Sequence, residues 1–256
     1  MRKFGLIGRP LTHSFSKKYF EEKFQREKII DCCYDLFELE SIEALPILLK
    51  SNTDLVGLNV TIPYKESAIK YVEWISDEAK AIGAVNCLRW NSGKLEGYNT
   101  DCFGFELAFK NFVGQAANKS KADVGVTTNI IEQTFVLGTG GSSKAIQYVL
   151  KKCNISFQLV SRVKKENCIS YSEISGAMKN ENLFINTAPV GMFPSINDTP
   201  DIPYEKITEK DFLFDLIYNP VETEFLKRGK VRGAKTKNGF EMLQLQAEKS
   251  WEIWNR

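Results

Sequence analysis

Two α/β domains are what this sequence predicts, on three observations. Strand-like and helix-like apolar periods alternate along the 256 residues, the pattern of a mainly parallel α/β architecture. The alternation falls into two blocks, divided by the polar stretch at 114–130 (GQAANKSKADVGVTTNI), which carries few large apolar side chains. The second block opens with Phe135-Val136-Leu137 running into Gly138-Thr139-Gly140-Gly141-Ser142, a strand, a glycine turn and a helix start in that order.

The elements follow from the N-terminus. Alternating apolar residues predict a strand over 3–8, and Phe15, Tyr19, Phe20 and Phe24 recur at helical spacing within a helix over 14–28. A strand over 33–38, a helix over 42–50 and a strand over 55–60 come next, then a helix over 63–72 with Pro63 in its first turn. Two short strands, 84–90 and 94–98, are joined by Asn91-Ser92-Gly93, which is turn chemistry, and a helix follows over 102–112. Beyond the polar stretch the period restarts with a strand over 134–137, a helix over 142–151 and a strand over 156–160. Further strands are predicted over 183–186 and 212–217. In the closing segment, 239–256, Phe240, Leu243, Ala247, Trp251 and Trp254 form a core-facing stripe on one helix.

Composition excludes several function classes. Lys and Arg total 34 against 32 Asp and Glu, a net charge of +2, so no global field would hold a nucleic acid or an anionic membrane, and neither is expected as a partner. The single histidine, His13, rules out zinc sites of the two-Cys, two-His kind, and no metal is expected. The six cysteines show no CxxC pair, and the adjacent Cys32 and Cys33 are poorly placed for a mutual disulfide, so a reduced, cytoplasmic protein is the simpler reading. The apolar run before Arg9 and Pro10 is too short for a signal-peptide core, and no segment approaches the roughly 18 apolar residues of a membrane span.

The glycine turn at 138–142 carries the clearest local chemistry. Gly138 permits the tight turn, Gly140 lets backbone approach a pyrophosphate, and N–H groups at the new helix start face the anion. Ser143 stands where a GxGxxG fingerprint has its third glycine. The next strand ends in Ser161-Arg162-Val163-Lys164-Lys165, where an NAD-preferring site would place Asp or Glu. Basic residues there suit a 2′-phosphate, so NADP is favoured over NAD, with the planar fork of Arg162 the best-matched group.

Polar clusters also mark the ends of strands in the first block: Gly8-Arg9-Pro10-Leu11-Thr12-His13-Ser14-Phe15-Ser16, Gly57-Leu58-Asn59-Val60-Thr61-Ile62-Pro63-Tyr64-Lys65, Gly83-Ala84-Val85-Asn86 and Gly97-Tyr98-Asn99-Thr100-Asp101. Singly each reads as caps and surface residues. In order, and continued by Asn186-Thr187-Ala188-Pro189-Val190-Gly191-Met192, Asp215-Leu216-Ile217-Tyr218-Asn219-Pro220 and Gly239-Phe240-Glu241-Met242-Leu243-Gln244-Leu245-Gln246-Ala247, they closely resemble the shikimate dehydrogenase family over nearly the whole chain.

The resemblance implies an N-terminal substrate-binding catalytic domain (1–113), rejoined by the C-terminal helix (239–256), and a Rossmann-like NADP-binding domain (114–238). It implies Lys65 and Asp101 as the catalytic pair, and Ser14, Ser16, Asn59, Thr61, Asn86, Tyr218 and Gln246 as the residues that hydrogen-bond the substrate's hydroxyls and carboxylate. A ring of short polar groups suits a substrate with three hydroxyl or keto groups, because each buried hydroxyl left unpaired weakens binding. For the cofactor it implies Gly138, Thr139, Gly140, Gly141 and Ser142 at the pyrophosphate, Ser161, Arg162, Lys164 and Lys165 at the adenosine phosphate, and Leu216 and Gly239 beside the nicotinamide. The chain departs from the family's usual pattern at Lys17, at Phe20-Glu21 and at Val163, where proline, His-Asn and threonine are common.

The activity so implied is reversible reduction of 3-dehydroshikimate to shikimate with NADPH, a step of the route to chorismate and the aromatic amino acids. The expected partners are these small molecules, in a monomer or homodimer. Lys65 would exchange the proton and Asp101 would hold its ammonium; burial lowers a lysine's pKa whereas an adjacent carboxylate raises it. His13, between Thr12 and Ser14, is assigned a structural role. The alternatives are a quinate/shikimate dehydrogenase with relaxed or NAD cofactor use, and a non-catalytic metabolite-binding homologue, against which the retention of Lys65 and Asp101 argues.

Overall fold

A computed structural model describes residues 1–11, 14–116, 130–163 and 165–256. Two compact units emerge from the packing, Met1–Thr100 with Ala247–Arg256, and Asp101–Gln246.

The first unit is built on a six-stranded sheet of β1 (Arg2–Gly8), β2 (Cys32–Glu38), β3 (Leu55–Val60), β4 (Trp74–Ile75), β5 (Cys87–Asn91) and β6 (Lys94–Tyr98), in the order β2-β1-β3-β5-β6-β4. Only β5 runs against its neighbours. The carboxyl ends of β1, β3 and β6 and the start of β5 therefore share one sheet edge, with Ile7 opposite Val60, Asn59 opposite Cys87, and Cys87 opposite Tyr98. Helices α1 (Phe15–Arg26), α2 (Leu45–Ser51) and α3 (Asp77–Ile82) complete it. Pro46 starts α2 after a single 3₁₀ turn at Ile42–Ala44, and Ser76 caps α3 by accepting from Ala79 N at 3.2 Å.

The helix predicted over 63–72 does not form. Lys65 O accepts from Val85 N (2.8 Å), so it is not available for a helical bond from Ile69, whose N–H turns to Glu66 O (3.3 Å) instead. What remains helical is the 3₁₀ segment Ser67–Tyr71.

One face of this sheet holds an aromatic core in which Phe4 stacks on Trp254 (4.9 Å) and Phe20 on Tyr34 (4.6 Å). A Cβ on Gly57, in β3, would lie 2.2 Å from Trp254 Nε1, and that indole is held by donation to Leu88 O at 2.9 Å. Gly57→Ala is accordingly expected to destabilise the chain by about 1–3 kcal/mol through overpacking. The accompanying fall in Tm, roughly 2–4 °C per kcal/mol at this size, is read by thermal unfolding; an unchanged Tm would show that the ring yields.

The second unit carries the helices α4 (Asp101–Ala116), α5 (Gly141–Lys152), α6 (Ile174–Ala177) and α7 (Glu224–Val231). Its strands are β7 (Gln133–Leu137), β8 (Gln158–Val160), β9 (Cys168–Ile169), β10 (Asn182–Asn186), β11 (Phe212–Asp215) and β12 (Lys235–Lys237). All are parallel, in the order β12-β11-β10-β7-β8-β9. That is the doubly wound order, whose direction reverses between β7 and β10, where ligands of such sheets bind beyond the carboxyl ends.

By packing, α4 goes with this second unit: Phe105 meets Phe214 at 5.3 Å, Phe112 meets Phe212 at 5.8 Å, and Glu106 pairs with Lys152 at 2.7 Å. The C-terminal helix α8 (Phe240–Trp254) counts with the second unit up to Gln246 and with the first from Ala247. Most of the stretch 114–130, read as a domain boundary, lies outside the described residues.

Candidate active site

In the first unit, hydrogen bonding beyond the strands gathers the predicted polar side chains at one sheet edge. Thr61 N donates to Ile7 O (2.9 Å) and Arg9 N to Ile62 O (3.0 Å), which carries the β1–β3 pairing into the loops. A Cβ on Gly8 would come within 2.3 Å of the Thr61 methyl, so glycine is what lets the two segments meet. Leu11 N donates to Glu38 Oε2 (3.0 Å), fixing the loop before α1, and Ser14 caps that helix by accepting from Ser16 N (3.3 Å). Thr12 and His13 lie outside the described residues.

Asn86 is clamped between two strands. Its N–H donates to Tyr98 O (3.0 Å), its carbonyl accepts from Val60 N (2.8 Å), and its side-chain Oδ1 accepts from Thr100 N (2.6 Å). Asn59, 5% exposed, accepts at Oδ1 from Tyr34 Oη (2.9 Å) and donates from Nδ2 to Ser250 Oγ (2.9 Å) and to Asn86 O (3.3 Å). Burial raises the Tyr34 phenol well above its ordinary range, against a hydrogen bond from Ser16, so it stays a donor. Lys65, half-buried, is anchored through its backbone carbonyl to Val85. The structure therefore brings Ser14, Ser16, Asn59, Thr61, Lys65 and Asn86 to one edge of one unit. It adds Tyr34 and Ser250, which carry no motif signal, and Thr100, which lies within the Gly97–Asp101 cluster.

In the second unit, Asp101 opens α4 and is buried. One turn on, a Cβ at Gly104 would lie 2.6 Å from Met242 O and 3.0 Å from Gln246 N. That close approach of helix backbones sets Gln246, buried with Nε2 donating to Leu243 O (3.1 Å), beside the first turn of α4.

The glycine loop follows β7. Gly138 adopts φ +113°, which demands glycine, and its carbonyl accepts from the fully buried Ser143 Oγ at 2.8 Å. Ser143 thus pins the turn from the position of the missing third glycine. A Cβ on Gly140 would meet nothing within 4 Å, so the loop presents open backbone at the start of α5, a twelve-residue helix. Thr139 Oγ1 accepts from Lys165 Nζ (2.7 Å), which ties this loop to the basic turn after β8. Ser161 Oγ shapes that turn by accepting from Val163 N (3.3 Å), with Arg162 exposed on it; Lys164 lies outside the described residues. Open glycine backbone, helix-start N–H groups and an adjoining basic turn fit a phosphate-bearing dinucleotide.

Across the switch point, Leu216 N donates to Asn186 O (3.0 Å) and Gly239 N to Ile217 O (3.0 Å). A Cβ on Gly239 would sit 2.0 Å from Leu216 O, so only glycine allows this approach. Tyr218, half-buried, follows in the same loop. Its organiser is Asp215, fully buried, which accepts from Thr223 Oγ1 (2.6 Å), Asn186 Nδ2 (3.0 Å) and Ile217 N (3.1 Å). Desolvation raises its carboxyl to about 6 although all three donors oppose the rise. Asp215 opens the segment Asp215–Pro220, and no sequence feature marks it as buried. Among the described residues no group of three or more His, Cys, Asp or Glu could hold a metal ion.

A family model described as the shikimate dehydrogenase substrate binding domain matches residues 6–88. The chain is 40% identical to the shikimate dehydrogenase (NADP(+)) of Clostridium beijerinckii, over 99% of this chain and 92% of the relative. Its structure is similar to that of shikimate dehydrogenase 1 from Peptoclostridium difficile, with TM-score 0.79 and 37% identity, covering 100% of this chain and 92% of that one. It is also similar to the Thermus thermophilus shikimate 5-dehydrogenase solved in complex with NADP(H) and shikimate, with TM-score 0.81 and 27% identity, covering 99% and 93%.

Proposed function

Since the chain belongs to the shikimate dehydrogenase family, we propose that it is an NADP-dependent oxidoreductase interconverting 3-dehydroshikimate and shikimate. The observation that carries this reading is the gathering of Ser14, Ser16, Thr61, Lys65 and Asn86 at one edge of the first unit's sheet, in a chain related over nearly its whole length to enzymes of that name.

In this proposal the substrate is bound by polar side chains. The Ser14 and Ser16 hydroxyls, Thr61, Asn86 and Gln246 bind its hydroxyls and carboxylate, with Asn59 and Tyr218 beside them. The second unit holds NADP, with Gly138, Thr139, Gly140, Gly141 and Ser142 at the pyrophosphate, Ser161, Arg162, Lys164 and Lys165 at the 2′-phosphate, and Leu216 and Gly239 along the nicotinamide. When bound, the cofactor supplies the hydride. Lys65 gives its ammonium proton to the carbonyl oxygen during reduction and takes it back during oxidation, and Asp101 orients that ammonium. In this proposal the enzyme is cytoplasmic, which its six free cysteines support, and works as a monomer or homodimer. Among the described residues no helix is long and apolar enough to cross a membrane.

The test is a spectrophotometric assay of shikimate and quinate, each with NADP and NAD. Shikimate-dependent reduction of NADP is expected; absence of reduction with every pairing would overturn the reading.

A further inference from the structure

The residues that meet the substrate in the proposed function rest on a buried polar layer that none of them explains. It comprises Tyr34 (2% exposed), Thr100 and Ser250 (both 0%), drawn from β2, the end of β6 and the C-terminal helix. Its hydrogen bonds converge on Ser250. Asn86 Oδ1 is occupied by Thr100 N at 2.6 Å, which leaves Asn86 Nδ2 to donate to Thr100 Oγ1 at 3.0 Å. The Thr100 hydroxyl lies 3.2 Å from both Ser250 Oγ and Asn86 Oδ1, so its single proton is shared between them. Ser250 Oγ also accepts from Asn59 Nδ2 at 2.9 Å, and its own proton faces the Cys87 sulfur, whose thiol burial pushes up to about 12. One serine hydroxyl thereby receives donors from the side chains that brace both carboxamides.

The helix around Ser250 is anchored on both sides. Two residues before it, Glu248 takes Lys23 Nζ at 2.7 Å and the Tyr19 hydroxyl; one turn after it, Trp254 is fixed to Leu88 O at 2.9 Å. Lys23 is itself only 4% exposed, while its partner Glu248 stays open to solvent.

We infer that Ser250, acting through Thr100 and Asn59, is a positioning residue that holds Asn86 in place for the substrate. The inference rests on the proposed function and adds to it a residue of the C-terminal helix. Without the Ser250 hydroxyl, Thr100 Oγ1 loses a neighbour at 3.2 Å and Asn59 Nδ2 loses its acceptor at 2.9 Å. Thr100 N still orients Asn86 Oδ1, but the layer that backs Asn86 is loosened and a buried donor is left unmatched.

Steady-state kinetics on the full chain test this. Ser250→Ala is expected to raise KM for shikimate about tenfold, the size of one buried hydrogen bond lost, while KM for NADP stays at the wild-type value. Thr100→Val should do the same and Thr100→Ser, which keeps the hydroxyl, should restore the wild-type shikimate KM. That pair carries the test if Ser250→Ala does not fold. Wild-type shikimate KM in Ser250→Ala, or equal rises for both substrates, overturns the inference while leaving the function standing. A wild-type chain that shows no shikimate-dependent turnover overturns both.

Discussion

Lys65→Ala is expected to lower kcat by about 10²–10⁴-fold, the usual contribution of a positioned general acid–base. The backbone carbonyl of Lys65 accepts from Val85 N at 2.8 Å, and alanine keeps that bond. What the substitution takes away is the ammonium, and with it the proton that the substrate oxygen needs. Lys65→Arg sharpens the test, because guanidinium retains the cation but does not release a proton near neutral pH; it should be nearly as slow as the alanine variant. His13→Ala should keep turnover. Wild-type kcat in Lys65→Ala would remove the lysine from the mechanism, and a dead His13→Ala enzyme with normal shikimate binding would hand the proton to the histidine.

The position of Lys65 shows where sequence reasoning reached and where it stopped. Chain order placed Thr61, Lys65, Asn86 and Asp101 next to predicted strand ends, and the sheet does put β1, β3, β5 and β6 at one edge there. Apolar period alone could not show that Val85 would take the Lys65 carbonyl, so the segment read as a helix over 63–72 when it is a turn and a 3₁₀ segment. Long-range pairing overrode a local pattern. Short helices escaped for the opposite reason. α3 and α7 carry legible caps, Ser76 and Thr223, but are too brief to establish a period.

Within the site, the residues facing outward from strand ends were legible because family motifs contain them. The supporting layer was not. Tyr34 sits in the strand Cys32–Glu38, Ser250 lies between the core positions Ala247 and Trp251 of a helix, and Ser143 occupies a fingerprint position normally given to glycine. Each acts through a hydrogen bond to a residue distant in sequence or to a turn geometry, neither of which leaves a periodic trace. The assignment of α4 to the second unit is of the same kind, since it depends on where Phe105 and Phe112 find aromatic partners.

Asp215 should make the chain less stable at neutral than at mildly acidic pH, and Asp215→Asn should abolish that dependence. Its carboxyl titrates near 6 in the folded chain against 3.8 for the free group, because burial disfavours the charge. Between those values the folded state binds more protons than the unfolded one, so this residue's contribution to stability falls as pH rises from about 4 to 6 and is flat above. Moving the carboxyl from 3.8 to about 6 corresponds to about 3 kcal/mol between the two ends of that window. Asparagine removes the buried charge and can keep every bond. Its Oδ1 would accept from Asn186 and Ile217, as Asp215 Oδ1 does, and its Nδ2 would donate to Thr223 once that hydroxyl reverses. Thermal unfolding at intervals from pH 5 to 8 should therefore show the variant's Tm above wild type by several degrees at pH 7–8, with the two curves converging towards pH 5. Parallel curves at every pH would place the Asp215 carboxyl at its ordinary pKa. A carboxylate kept in the fold at such a cost grips Thr223, and with it the cap of α7, more strongly than an amide could. It also holds the turn that carries Leu216 and Tyr218, so the stabilised variant should bind NADP more weakly than wild type.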